Sequence, residues 1–409
     1  MTPFHIPSKA RRTHRFIFVP TVAILVAFIL VGVAVPEHDA VAADDSSTLI
    51  RVGAGRQIKS IAEAARRAVD GATIEVDAGE YRADVAVWSR NDLRVRAVGG
   101  RVRVIADGAA AEGKGIWVVR ARGMSVEGFD FQGAAVPSRN GAGIRLETGS
   151  LRVFDCSFMY NETGLLTNND AETELDVENS EFAYNQRPDG YNHNLYAGTI
   201  KRLSVTGSYF HHGHGGHLLK SRAALNHITY NRLSDEADGS ASYELEFPNG
   251  GVAYVIGNIV HQGPLTQNPH LVSYGAEGYR LAHNEINLIH NTLVNDLADS
   301  AVYLRVSPGP VTARIVNNLL VGRAGWDIGP EATFQNNVTL NHADISMTPT
   351  DIYRPSPAKM ERFRAVNVAA VNGVSLTPDR QYRHPRGTIP LRAAPLAPGA
   401  LQPEQPAPR

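Results

Sequence analysis

Between Val153 and Val338 the chain returns eight times to one short pattern: an apolar residue, two variable residues, a Cys, Ser or Asn, and a second apolar residue just after it. The first copy is Val153-Phe154-Asp155-Cys156-Ser157-Phe158 and the last Phe334-Gln335-Asn336-Asn337-Val338. The small or polar position falls at Cys156, Ser180, Ser208, Asn231, Asn258, Asn291, Asn318 and Asn337, in unequal steps of 19 to 33 residues. A repeat of this length means a solenoid, in which each unit buries its apolar side only against its neighbours. Leucine-rich repeats overlap the range, but their fixed leucine spacing is missing and the apolar residues alternate with period two. Unequal steps suit a parallel β-helix, whose coils hold several short strands joined by turns that tolerate insertions. The expectation is an all-β chain, with the Cys/Ser/Asn column as an internal polar ladder rather than a site.

The ends of the chain set its surroundings. Lys9, Arg11, Arg12 and Arg15 precede an apolar run from Phe16 to Val35, and Ala40-Val41-Ala42 stands before Ala43-Asp44-Asp45. This is the layout of an export signal cleaved after Ala42 or Ala43. The alternative is an uncleaved anchor, because a run of about 20 residues reaches across a bilayer. In either case residues 1–43 place the folded part outside the cytoplasm, in the periplasm or beyond the cell. A formal charge of −1 gives no broad electrostatic footprint for nucleic acid. Cys156 is the one cysteine, which excludes an internal disulfide and a cysteine-based zinc site. The expected divisions are a cap and first coils over 44–135, central coils over 136–345 and a terminal coil over 346–384. A Pro/Ala-rich disordered or extended tail is expected over 385–409. The protein is expected to act as a monomer.

A terminal unit must cover the open end of a solenoid. Ile58 to Val69 has helical spacing and good helix formers. Asp70-Gly71-Ala72-Thr73-Ile74-Glu75-Val76 then gives a turn and strand, followed by Ala78-Gly79-Glu80-Tyr81. This succession resembles the start of pectin-lyase-like right-handed β-helix proteins, a likeness running from about Ile50 to His342. It implies a single right-handed parallel β-helix with an N-terminal capping helix. That superfamily holds lyases, hydrolases, epimerases and non-catalytic spikes, so the fold alone assigns no activity.

A second strand in each coil aligns on an inward Leu146, Leu166, Leu195, Leu219, Leu245, Val272 or Leu304. Alternation then turns the flanking residues outward. The column after the apolar point reads Glu147, Thr167, Tyr196, Lys220, Glu246, Ser273, Arg305. The column before it reads Arg145, Leu165, Asn194, Leu218, Glu244, Leu271, Tyr303. Near these columns stand Asn192-His193-Asn194, the run His211-His212-Gly213-His214-Gly215-Gly216-His217, and His261, Asn268 and His270. A solvated face with a Lys220–Glu246 ion pair is the plain structural account. The density of acid–base groups from separate coils points further, to a polysaccharide-binding stripe.

Three chemistries compete for that stripe. Elimination from a uronate requires a cation to neutralise the C6 carboxylate, a base for the C5 proton and a donor for the leaving oxygen. Lys220 suits neutraliser or base, His193, Tyr196 and His217 suit proton transfer, and Arg222 and Glu246 suit orientation. Asn194, Glu244, His270 and Arg305 are the substrate-binding candidates. Lys220-Ser221, with Asn231 ten residues on, resembles the Lys-Ser motif of the lyase family that includes chondroitinase B and alginate lyases. The resemblance implies a base-bearing strand. The chain departs from that family where Glu246 stands in the region of its arginine, and in lacking its acidic calcium ligands before the lysine. Hydrolysis is the second chemistry, with Glu244 and Glu246 as the two carboxylates it needs. A histidine metal site is the third, but the Gly-rich spacing matches no zinc fingerprint, so no metal ligands and no cofactor are assigned. Outside catalysis, the same stripe suits glycan binding or envelope assembly.

Overall fold

A computed structural model describes residues 48–402, apart from 188, 299–300, 347–352, 361 and 396. The expected export signal or anchor at 1–43 lies outside them. Each coil contributes three short parallel strands, and successive coils pair in register. The first face holds strands such as Ile200–Thr206, Leu225–Thr229 and Val252–Ile256. The second is a separate ten-stranded sheet from Ala86–Trp88 to Gly325–Asp327. The third holds three- and four-residue strands, among them Tyr209–His211, Arg232–Ser234 and Ile259–Gln262. Thr73–Arg82 and Arg94–Ile105 each run round the corner between first and third faces, which joins those two into one sheet.

Inside, apolar side chains stack coil upon coil. Phe131, Phe158, Phe182 and Phe210 form a near-parallel stack with ring centres 5.1, 4.7 and 4.7 Å apart. The polar column stands at the bend between first and third faces. Asn231 Oδ1 accepts from the Ser208 backbone N–H at 2.9 Å, and Asn258, Asn291 and Asn318 repeat the contact on Asn231, Asn258 and Asn291. Their amide nitrogens donate to backbone carbonyls such as that of Val205. A bend leaves backbone groups without ladder partners, and the amides satisfy them. The column is structural.

The capping helix is Ile61–Arg67, shorter at both ends than expected. Ser60 caps it, and Asp84 accepts from the backbone N–H groups of Ile61 and Ala62 at 2.6 and 2.8 Å. Those contacts satisfy donors that a helix start leaves open. Ile61, Ala64 and Ala65 close the end of the core.

The C-terminal segment packs along the coils. After the last coil the chain runs back along the solenoid, and the described residues of 385–402 are held against it. Val366 pairs with the side chain of Asn317, Asp379 with Tyr230, and Gly387 N–H with the Gly207 carbonyl. Arg386 reaches Asp155 at 3.1 Å. The chain then returns, and Gly399 and Ala400 donate to Asn317 and Thr292. Tyr353, Met360, Tyr382, Ala397 and Leu401 pack on the outward side chains of the third face. Pro and Ala suit such a strap, since extended backbone can dock without forming strands.

Candidate functional site on the ten-stranded face

Strands of the second face do not alternate strictly. In His193–Ala197, His217–Ser221 and Val302–Val306 the second and third residues are both buried, while the first and fourth lie outward. Two outward columns follow. The first-position column runs His193, His217, Tyr243, His270, Val302. The fourth-position column runs Arg145, Leu166, Tyr196, Lys220, Glu246, Ser273, Arg305 and Asp327.

This corrects the expected columns: Leu165, Leu218, Leu271 and Tyr303, expected outward, are buried. Leu165 and Ile144, not Leu166 and Leu146, align with Leu195, so Arg145 and Leu166 replace Glu147 and Thr167 in the column. Asn194 is buried and bonds to Asn185 and to the carbonyls of Phe182 and His211, and so belongs to the interior. Glu244 is fully buried as well, with neither carboxylate oxygen hydrogen-bonded among the described residues. A carboxylate pair of Glu244 and Glu246 therefore does not face substrate. The cause is the paired inward residues, which a strict two-residue alternation does not anticipate.

The remaining catalytic candidates converge. Lys220 Nζ lies 2.9 Å from Glu246 and 3.0 Å from Glu277. Arg222 donates from Nε to the Tyr196 hydroxyl at 2.8 Å, reaches Glu277 at 2.8 Å and also contacts Asn249. His217 Nε2 stands 2.9 Å from Glu246, without hydrogen-bond alignment. The His193 ring packs on His217 and Tyr196, with ring centres 4.7 and 5.3 Å away. Its Nδ1 accepts from the His217 backbone N–H at 3.2 Å, which places the proton of the neutral ring on Nε2. His270 sits two coils from His217 and stacks on Tyr243. Arg305 pairs loosely with Asp327 at 3.4 Å, away from the Lys220 group.

Electrostatics separate the roles. Burial pushes the His193 pKa well below 6.5, helped by His217 and Lys220 nearby. Burial also lowers His217, partly offset by Glu246. Both rings are therefore neutral at neutral pH. Burial works to raise the Glu246 carboxyl, but His217 and Lys220 outweigh it and hold it below its ordinary value. Glu277 behaves alike, with Lys220 and Arg222 overcoming partial burial. Among the described residues no three His, Cys, Asp or Glu side chains converge as a metal-binding group.

Glu277 and Asn249 are absent from the sequence-level candidates. Glu277 belongs to the turn after His270–Tyr274, between Gly275 and Gly278, both at positive φ. It reaches back across two coils to Lys220. Only the Gly-x-x-Gly turn marks it in sequence, and that signal says nothing about where the turn points.

No family model and no curated protein matches the chain. Among solved structures, a pectate lyase aligns over 81% of this chain and 96% of its own, at 13% identity and TM-score 0.54. Geobacillus virus E2 ORF18 aligns over 66% and 53% (14% identity, TM-score 0.41). A mutant pectin methylesterase in complex with a hexasaccharide aligns over 76% and 93% (12% identity, TM-score 0.34). The parallel coils, the capped N-terminal end and the pectate lyase alignment together identify the chain as a right-handed parallel β-helix of the pectin-lyase-like fold.

Proposed function

We propose that the protein works outside the cytoplasm on a uronate-containing polysaccharide, and cleaves it by β-elimination on the ten-stranded face. One observation carries the reading: the Glu277 carboxylate is held between Lys220 and Arg222, the grip a uronate carboxylate needs. Glu277 sits on an outward turn with its side chain 41% exposed, so a substrate carboxylate can replace it. Held between the two cations, the C6 carboxylate acidifies the C5 proton. His217, neutral and backed by the ionised Glu246, is the base. Glu246 stabilises the imidazolium that forms, as a carboxylate does behind a histidine general base. Tyr196, its oxygen bound by Arg222, keeps its own proton free for the departing oxygen. His193 presents Nε2–H to the substrate. The C5–H and C4–O bonds break, a C4=C5 double bond forms, and the leaving oxygen takes a proton.

The test is ultraviolet absorbance of the unsaturated product, with residues 44–409 mixed with a panel of acidic polysaccharides. A rise with one substrate, lost in Lys220→Ala and in His217→Gln, supports the reading. Substrate binding without absorbance change supports a glycan-binding protein instead. Reducing ends appearing without absorbance point to hydrolysis.

A further inference from the structure

Beside His193 and Tyr196 a groove of about 540 Å³ opens towards the N-terminal coils, lined by Arg145, Asn168, Arg187 and Tyr191 as well. Of its two cations, Arg145 differs from Arg187 and from the other cations of the outward column. Lys220 has Glu246 and Glu277, Arg305 has Asp327, and Arg187 at the groove wall has Asp189. Arg145 has no hydrogen bond or ion pair among the described residues, and its Nε is buried without a partner. Burial lowers its pKa even though Glu147 nearby opposes the shift, the sign of a charge held where it is poorly solvated, and Glu147 is itself paired with Lys114 and Arg120. Leaving a guanidinium desolvated and unpaired is costly, and proteins normally supply a counter-charge. None of the lining side chains supplies one that Arg145 contacts.

We infer that this groove is an anion subsite, in which Arg145 takes a carboxylate of the same acidic glycan chain, several sugar units from the one at Lys220. The inference rests on the proposal that an acidic glycan lies along this face. Arg145 and Lys220 occupy one column three coils apart, roughly 14 Å at the spacing of paired strands. A short oligosaccharide bound at Lys220 does not reach Arg145, and a longer one does. The planar fork of arginine suits a carboxylate in a bidentate grip. Asn168 and Asn169 on the groove wall offer amides to sugar hydroxyls.

Calorimetric titration of the His217→Gln protein with uronate disaccharides and hexasaccharides, and with neutral hexasaccharides, tests this. Arg145→Gln added to that background weakens hexasaccharide binding about tenfold, the loss of one charged hydrogen-bonding contact, and leaves disaccharide binding unchanged. Arg145→Lys recovers part of the loss. Thermal unfolding without ligand gives an independent reading: Arg145→Met keeps or raises the melting temperature, because an unpaired charge is removed. Equal hexasaccharide affinity with and without Arg145 overturns the subsite while leaving the Lys220 site intact. A large drop in melting temperature for Arg145→Met also overturns it, by making the arginine structural. If no acidic oligosaccharide binds the parent protein while neutral ones do, both the subsite and the elimination reading fall.

Discussion

The outer surfaces of the second and third faces carry the same kinds of residue in stacked columns, and they differ in what covers them. On the third face Ser234 Oγ lies 2.7 Å from His261 Nδ1, and His261 Nε2 lies 2.9 Å from Asp296, which also holds His342 at 2.6 Å. Taken as distances alone, this is a serine–histidine–aspartate relay. Yet Ser234 and His261 are buried, with the Tyr353 ring 5.2 Å from the imidazole and the C-terminal strap over them. On the second face His193 and Tyr196, neighbours of His217 and Lys220, line an open groove, and the Glu277 turn reaches Lys220 with its side chain 41% exposed. A polar network under a strap satisfies its own members and fixes the strap. On the second face the partner Glu277 stands on a half-exposed turn, so an outside carboxylate can take its place at Lys220 and Arg222. Acid–base residues in a β-helix are thus informative only once the covered faces are known.

That contrast can be broken by substitution. Lys220→Ala is expected to lower elimination by roughly a thousandfold, within the range for losing an acid–base or charge-stabilising group. Ser234→Ala leaves the rate unchanged, and an equal loss from Ser234→Ala would reverse the assignment of the two faces. Stability runs the other way. His261→Ala strips hydrogen bonds from a buried network and costs about 2–4 kcal/mol in denaturant unfolding, whereas His217→Ala costs less stability and most of the activity.

The turn joining the two regions carries its own signature. Burial pushes the Asp235 carboxyl up to about 7, and burial with Asp235 nearby pushes Glu244 well above its ordinary range. Both acids are neutral in the folded chain at mildly acidic pH and ionise more readily once unfolded. Stability therefore falls as pH climbs from about 4, the unfolded carboxylate value, towards 7, because the unfolded state releases protons the folded state retains. Glu244→Gln flattens that decline, measured as unfolding free energy against pH. A pH profile identical to that of the unaltered protein contradicts the buried neutral acid.

The smallest effect concerns the Glu277 turn. Glu277→Ala leaves Lys220 and Arg222 open, so the substrate no longer has to displace a carboxylate. KM is expected to fall a few-fold, while stability changes by less than about 1 kcal/mol, as for other half-exposed ion pairs. A rise in KM would mean that Glu277 positions Lys220 instead of occupying its anion site.

Much of the fold was legible because its signals are local or strictly periodic. The Asn231–Asn258–Asn291–Asn318 column, a capping helix within 58–69 and the strand from Thr73 each follow from spacing and side-chain chemistry. Of the candidate site, Lys220, Tyr196, His193, His217, Arg222 and Glu246 came together because strand pairing stacks equivalent positions at a constant interval. Asn194 and Glu244 were misplaced because two successive residues of these strands turn inward, a bend that hydrophobic pattern does not encode when one of them is polar. Leu146 and Leu166 were misaligned by the unequal turns before them. Glu277 and the strap were invisible for a shared reason. Each makes its contacts through the path of a turn or an extended segment over distant coils, and neither leaves a periodic trace.

The most direct test of the Lys220 site is a crystal structure of the His217→Gln protein with a bound uronate oligosaccharide. A sugar carboxylate is expected between Lys220 and Arg222, with Glu277 displaced from both and the sugar's C5 facing position 217. An oligosaccharide bound elsewhere, with Glu277 still bridging Lys220 and Arg222, would contradict it.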